Sequence, residues 1–171
     1  MPVLVLNSRN EATTRIIGAA ATFYSHVLLN KKADKISVIV RCDEALGDTE
    51  AETYWLDSCM DPKVFEIRMS RKIKNFRRII QTLGHEMVHV KQFVKGEMID
   101  IITDPAKMKW KRKIINMNNV DYWDYPWEIE AYGRELGLYM KFKEFYQVSD
   151  KQIMKPEHLD LDIFTKTYYD A

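Results

Sequence analysis

Ile73, Phe76, Ile80, Leu83, Met87, Val90 and Val94 recur at steps of three and four residues, the spacing of one apolar stripe along an α-helix. A stripe of that length has to be covered. A helix over 72–96 is therefore expected to lie with that face against the core. At about 100° per residue, His85 and His89 of "LGHEMVHV" fall nearly opposite the stripe and about 40° from each other. Both are expected to face away from the core, toward a cleft.

The elements on either side follow from local signals. Ser8 and Glu11 stand at capping-box spacing, and Ile16, Ala20, Phe23 and Val27 continue at helical steps, so a first helix is expected over 8–30. "KISVIVR" (35–41) is short and β-branched, "ETYWLD" (52–57) reads as a weaker strand, and in "KVFEIRMS" (63–70) Phe65, Ile67 and Met69 alternate with Val64, Glu66 and Arg68. Pro126 suits the first position of a later helix capped by Asp124 or Tyr125. With no repeat and no Pro/Gly/Ser linker, 171 residues predict one domain over 1–171, of α+β class.

Composition excludes several classes. A formal net charge of +1 gives no general pull toward nucleic acid or an acidic partner. The start "MPVLVLNSRN" has an apolar run of only four residues and no basic stretch ahead of it, so no secretory signal is expected. No segment approaches the roughly 18 apolar residues of a membrane span. Cys42 and Cys59 are too few for a disulfide framework and lack CxxC spacing, which predicts a reduced, cytoplasmic setting. No P-loop, GxGxxG or GxSxG pattern is present.

A bare pair of histidines four residues apart is commonly solvated surface, but Glu86 directly after His85 completes HExxH, in which the glutamate serves as general base. Hydrolytic zinc takes three protein ligands and keeps a fourth position for water. The extended motif with a third histidine six residues on is excluded, because Lys95 stands there and Gln92 stands at its glycine. The third ligand is sought in "DYPWEIEAYGRELGLYMKFKEFY". Glu128 and Glu130 lie about 200° apart on that helix and cannot both face one metal. Tyr132, Leu136, Tyr139 and Tyr146 cluster around the direction of Glu128, whereas Glu130 shares its side with Arg134 and Lys141. Glu128 is expected inside, with Glu130 as the alternative.

His85-Glu86-Met87-Val88-His89 followed by Glu128-Ile129-Glu130-Ala131 resembles the zincin metallopeptidases whose third ligand is a glutamate, the gluzincins. The order of helix, three strands, HExxH helix and ligand helix also resembles the minimal zincin core in layout, SprT-like domains included. The resemblance implies Zn²⁺ held by His85, His89 and Glu128, with Glu86 as catalytic base, and hydrolysis of a peptide or protein substrate lying along the 63–70 strand. Many members carry Asp or Asn four residues after the glutamate; here that position is Tyr132. An oxyanion donor is expected among Tyr122, Tyr125, Tyr132 and His158.

Two other readings of the chain are open. One is an inactive zincin-like fold that works by binding a partner. The other is a nucleic-acid-associated protein in which Lys109, Lys111 and Arg112 of the basic run "KMKWKRK" (107–113) contact phosphates while Trp110 stacks on a base.

Overall fold

Asn10, rather than Ser8, starts the first helix. A computed structural model describes residues 2–43 and 46–161; in it the Asn10 side chain accepts from the Thr13 amide at 2.9 Å, and α1 runs Glu11–Leu29. The Ser8 hydroxyl bonds to the Asn10 carbonyl and the Thr14 hydroxyl, so the Ser8–Glu11 capping box does not form. Ahead of α1, the short apolar run Val3–Leu6 is a strand, β1.

β1 pairs in parallel with β2 (Ser37–Asp43), and β2 pairs in parallel with β4 (Val64–Ser70). β3 (Ala51–Trp55) joins β4 antiparallel, giving the order β1-β2-β4-β3. The main sheet thus has four strands, not the expected three, and 63–70 is an inner strand bonded on both sides. Its alternation is as expected: Phe65, Ile67 and Met69 are buried in the core, while Glu66 on the other face is held by Arg41 and Arg68 at 2.8 Å each. β3 is an edge strand. The Leu56 amide bonds to the Val64 carbonyl and the Ser70 amide to the Glu50 carbonyl. By the alternation of an antiparallel ladder, Glu52 and Tyr54 also bond toward β4, and the backbone of Ala51, Thr53 and Trp55 faces outward.

α2 runs Phe76–Val94, capped by Asn75, whose side chain accepts from the amides of Arg77 and Arg78. It is the central element, packed against α1, β3, β4 and a third helix, α3. Ile80, Leu83, Met87 and Val90 are fully buried, as their spacing predicts, while Ile73 lies ahead of the helix. Gly84 lies where α1, α2 and α3 meet: a Cβ there would stand in ordinary contact, 3.4 Å from the Tyr24 ring of α1 and 3.6 Å from Leu138 of α3.

Between α2 and α3 lies a second, antiparallel sheet of β5 (Met98–Asp100), β6 (Lys107–Trp110) and β7 (Lys113–Asn116). The basic run is the β6–β7 hairpin, with Lys111 and Arg112 at its turn at φ 43° and 74°. Trp110 points inward, 8% exposed, against Trp127. α3 (Pro126–Tyr146) begins with Tyr125 as its cap and Pro126 in its first turn, as expected. A short helix, α4 (Asp150–Ile153), follows. Among the described residues no helix is long and apolar enough to cross a membrane.

Candidate metal centre

One turn of α2 presents His85 and His89 to the first turn of α3. Their Nε2 atoms are 3.2 Å apart, His85 Nε2 is 3.3 Å from Glu128 Oε2, and His89 Nε2 is 3.5 Å from Glu128 Oε1. Donors about 2.0–2.1 Å from a common tetrahedral centre stand about 3.3–3.4 Å from one another. The distance between the two histidines and that from His85 to Glu128 Oε2 are close to the edges of such a tetrahedron, while the His89 distance runs to the other carboxylate oxygen, Oε1. All three side chains are buried, each 8% exposed. The group could hold a metal ion.

Gln92, one turn past His89, fixes how that ring is used. Its Nε2 donates to the Trp127 carbonyl at 3.0 Å and to Glu130 at 3.2 Å. Its Oε1, 2.9 Å from His89 Nδ1, is therefore an acceptor, and Nδ1 carries the hydrogen. In the neutral ring, Nε2 then turns a lone pair toward the Glu128 carboxylate, an arrangement that needs a positive charge in its midst. A proton or a metal cation meets that need. Burial works against charge on His89, but hydrogen bonding to Glu128 and the nearby charge of Glu86 outweigh it and raise its pKa. Burial likewise opposes charge on Glu128, yet hydrogen bonds from His85 and His89, together with that from Tyr122, hold its carboxyl well below the usual range.

Glu86 is 5% exposed and accepts from the Thr53 hydroxyl of edge strand β3 at 2.7 Å. Burial pushes its carboxyl pKa up, against the pull of the neighbouring His89 and the Thr53 bond. The histidines, Glu86 and Glu128 open onto a cavity of about 760 Å³, bounded on one side by Ala51–Tyr54 of β3 and on the other by Tyr122, Trp123 and Tyr132. Tyr122 donates to Glu128 Oε2 at 2.9 Å, and the Tyr132 ring packs edge-on against His85 at 4.5 Å.

Of the four residues expected to include an oxyanion donor, Tyr122 and Tyr132 reach the cavity. Tyr125 donates instead to the Met117 carbonyl at 3.0 Å, and His158 is exposed in a turn that packs on α1. Trp110, expected to stack on a base, is instead buried, with its ring 6.2 Å from that of Trp127 and Lys111 Nζ 4.6 Å from its centroid. Sequence reasoning did not find Thr53, Gln92 or Glu135, the last of which puts Oε2 3.5 Å from His85 Nδ1. Gln92 lies three residues past His89 and Glu135 seven past Glu128, so helix spacing puts each on the side of that residue, but nothing marks them among other polar residues.

Glu128 is inside as expected, while the neighbours that pointed there are not all inside: Tyr132 is 38% and Leu136 52% exposed. The buried stripe of α3 is Trp127, Ala131, Leu138, Tyr139, Phe142 and Tyr146. Glu130 does not face solvent. It pairs with Lys91, which is 4% exposed, at 2.7 Å, and with Arg134 at 3.0 Å. It turns toward Lys91 and Gln92, outside the His85–His89–Glu128 group. Glu130→Ala should cost on the order of 2 kcal/mol, because it removes one of two carboxylates from a buried ammonium while Glu97 stays. Zinc uptake per folded molecule should persist. Thermal unfolding and a zinc titration of the same sample check both parts.

Comparison of the chain with known protein families, with curated proteins and with solved structures gave no match.

Proposed function

We propose that this chain is a zinc-dependent peptidase whose metal is held by His85, His89 and Glu128 and whose general base is Glu86. The observation that carries the reading is the close grouping of two Nε2 atoms and the Glu128 carboxylate, tight enough to surround one ion, in the lining of a cavity that Glu86 also lines. Two imidazoles and one carboxylate suit zinc, and three protein ligands would leave a fourth position open. Bound there, zinc would supply Lewis acidity and make a water molecule acidic near neutral pH.

The remaining work falls to the chain itself. Glu86 accepts the proton of the attacking water and passes it to the leaving nitrogen, a role suited by its raised pKa. Thr53 keeps that carboxylate turned toward the cavity. The outward backbone of Ala51, Thr53 and Trp55 can pair with an extended peptide, so the substrate strand is β3 rather than 63–70. Tyr132, which lines the same cavity, is the hydroxyl we assign to the developing oxyanion, because Tyr122 already gives its one hydrogen to Glu128.

The test is hydrolysis of a mixed peptide library by the full chain, followed by mass spectrometry. Cleavage should stop on treatment with a chelator and return with about one equivalent of zinc. Cleavage that persists in the chelated, zinc-free protein contradicts the proposal, as does a zinc-loaded protein that leaves every peptide intact.

A further inference from the structure

His85 and His89 are held from behind in different ways. His89 has Gln92 on its own helix. His85 has no such neighbour on α2, and the Tyr132 ring packs against its edge. Its Nδ1 is buried and makes no hydrogen bond among the described residues; the same is true of Glu135 Oε2. These two atoms face each other at 3.5 Å. Buried polar atoms are seldom left without a partner, and a shift of a few tenths of an ångström would bring this pair to hydrogen-bond distance.

Glu135 is also held in place. Its Oε1 is 3.4 Å from Arg78 Nη1, and the same guanidinium binds Glu50 Oε2 from Nε at 2.7 Å and from Nη2 at 2.6 Å. Thr82 donates to that Glu50 oxygen at 3.0 Å. Arg78 and Thr82 sit on α2, Glu50 immediately before β3, and Glu135 on α3. The carboxylate behind His85 is thus fixed to three elements around the site.

Resting on the metal reading above, we propose that Glu135 is a positioning residue: it takes the Nδ1 hydrogen of His85 and so turns the Nε2 lone pair toward the metal. A carboxylate behind a histidine ligand fixes the ring and makes it a stronger donor, and losing such a partner costs about 10–100-fold in metal affinity. Glu135 lies two turns beyond Glu128 on α3, so it approaches His85 from the same helix as the third ligand.

The test uses zinc itself, titrated into the metal-free full chain against a chelating dye, with cobalt absorption spectra alongside. Glu135→Ala should weaken zinc about 10–100-fold and alter the cobalt spectrum. Glu135→Gln keeps an acceptor oxygen of the kind Gln92 offers His89, and should recover most of the affinity and the parental spectrum. Glu135→Met fills similar space without an acceptor and should behave as Ala does, which covers the case of an alanine variant that fails to fold. Affinity unchanged in Ala and Met overturns the inference and leaves the metal reading standing. Failure of Gln to restore binding also overturns it, because loss would then follow charge or packing rather than an acceptor at Nδ1. A parent chain that takes up no zinc overturns both.

Discussion

Glu128→Ala should lose zinc binding by about 10²–10³-fold. Structural zinc in small domains is worth roughly 10–16 kcal/mol over four ligands, so one ligand carries about 2.5–4 kcal/mol, and about 1.4 kcal/mol is a factor of ten. Loss of the carboxylate also leaves the Nε2 atoms of His85 and His89 3.2 Å apart without the group that faces both, and deprives the Tyr122 hydroxyl of its acceptor. Dye competition should show the weakened uptake, with circular dichroism confirming equal folded fractions. Glu130→Ala, measured beside it, should keep its affinity. The opposite ranking of the two variants would make Glu130 the ligand and contradict the geometry.

Glu86→Gln should abolish peptide cleavage, by at least about 10²–10⁴-fold, while zinc content stays that of the parent. Gln cannot accept the proton from water, yet its amide oxygen can still receive the Thr53 hydroxyl. The substitution also places a neutral group where burial already disfavours charge, so the fold should not suffer. Mass spectrometry of the peptide digest and elemental analysis read the two parts separately. Cleavage at the parental rate removes Glu86 from the chemistry. Loss of zinc along with activity would make it a ligand.

The α2 motif was legible because everything it needs lies within one helix. Spacing alone placed Ile80, Leu83, Met87 and Val90 on the core side and both histidines on another. The direction of Glu128 was also read correctly, but partly from the wrong company: Tyr132 and Leu136 are apolar in composition and lie largely outside the core. Periodicity could not separate them from Tyr139 and Phe142, since burial on α3 depends on where α1 and α2 reach it. Glu130 misled for the same reason. Its partner Lys91 is on another helix, and a charge beside Arg134 looks like a solvated face until the two helices are brought together.

The β5–β7 sheet was hidden by its turn. Two-residue hairpins are usually signalled by Asn-Gly or a similar pair, and here Lys111 and Arg112 take positive φ without that signature. The run therefore read as a charge cluster, with Trp110 free to stack. Strand order was beyond local reading as well. That β3 turns antiparallel and becomes the edge beside Glu86 follows from long-range pairing. The 63–70 strand, expected to take the substrate, is accordingly an inner strand with no free edge.

Zinc K-edge X-ray absorption on the full chain loaded with one equivalent of zinc tests the metal centre most directly. The proposed ligand set requires nitrogen and oxygen neighbours only, at about 2.0–2.1 Å, with the outer-shell scattering of two imidazoles. A sulfur neighbour at about 2.3 Å, which would bring in Cys42 or Cys59, or a spectrum without two imidazoles, would contradict the assignment of His85, His89 and Glu128.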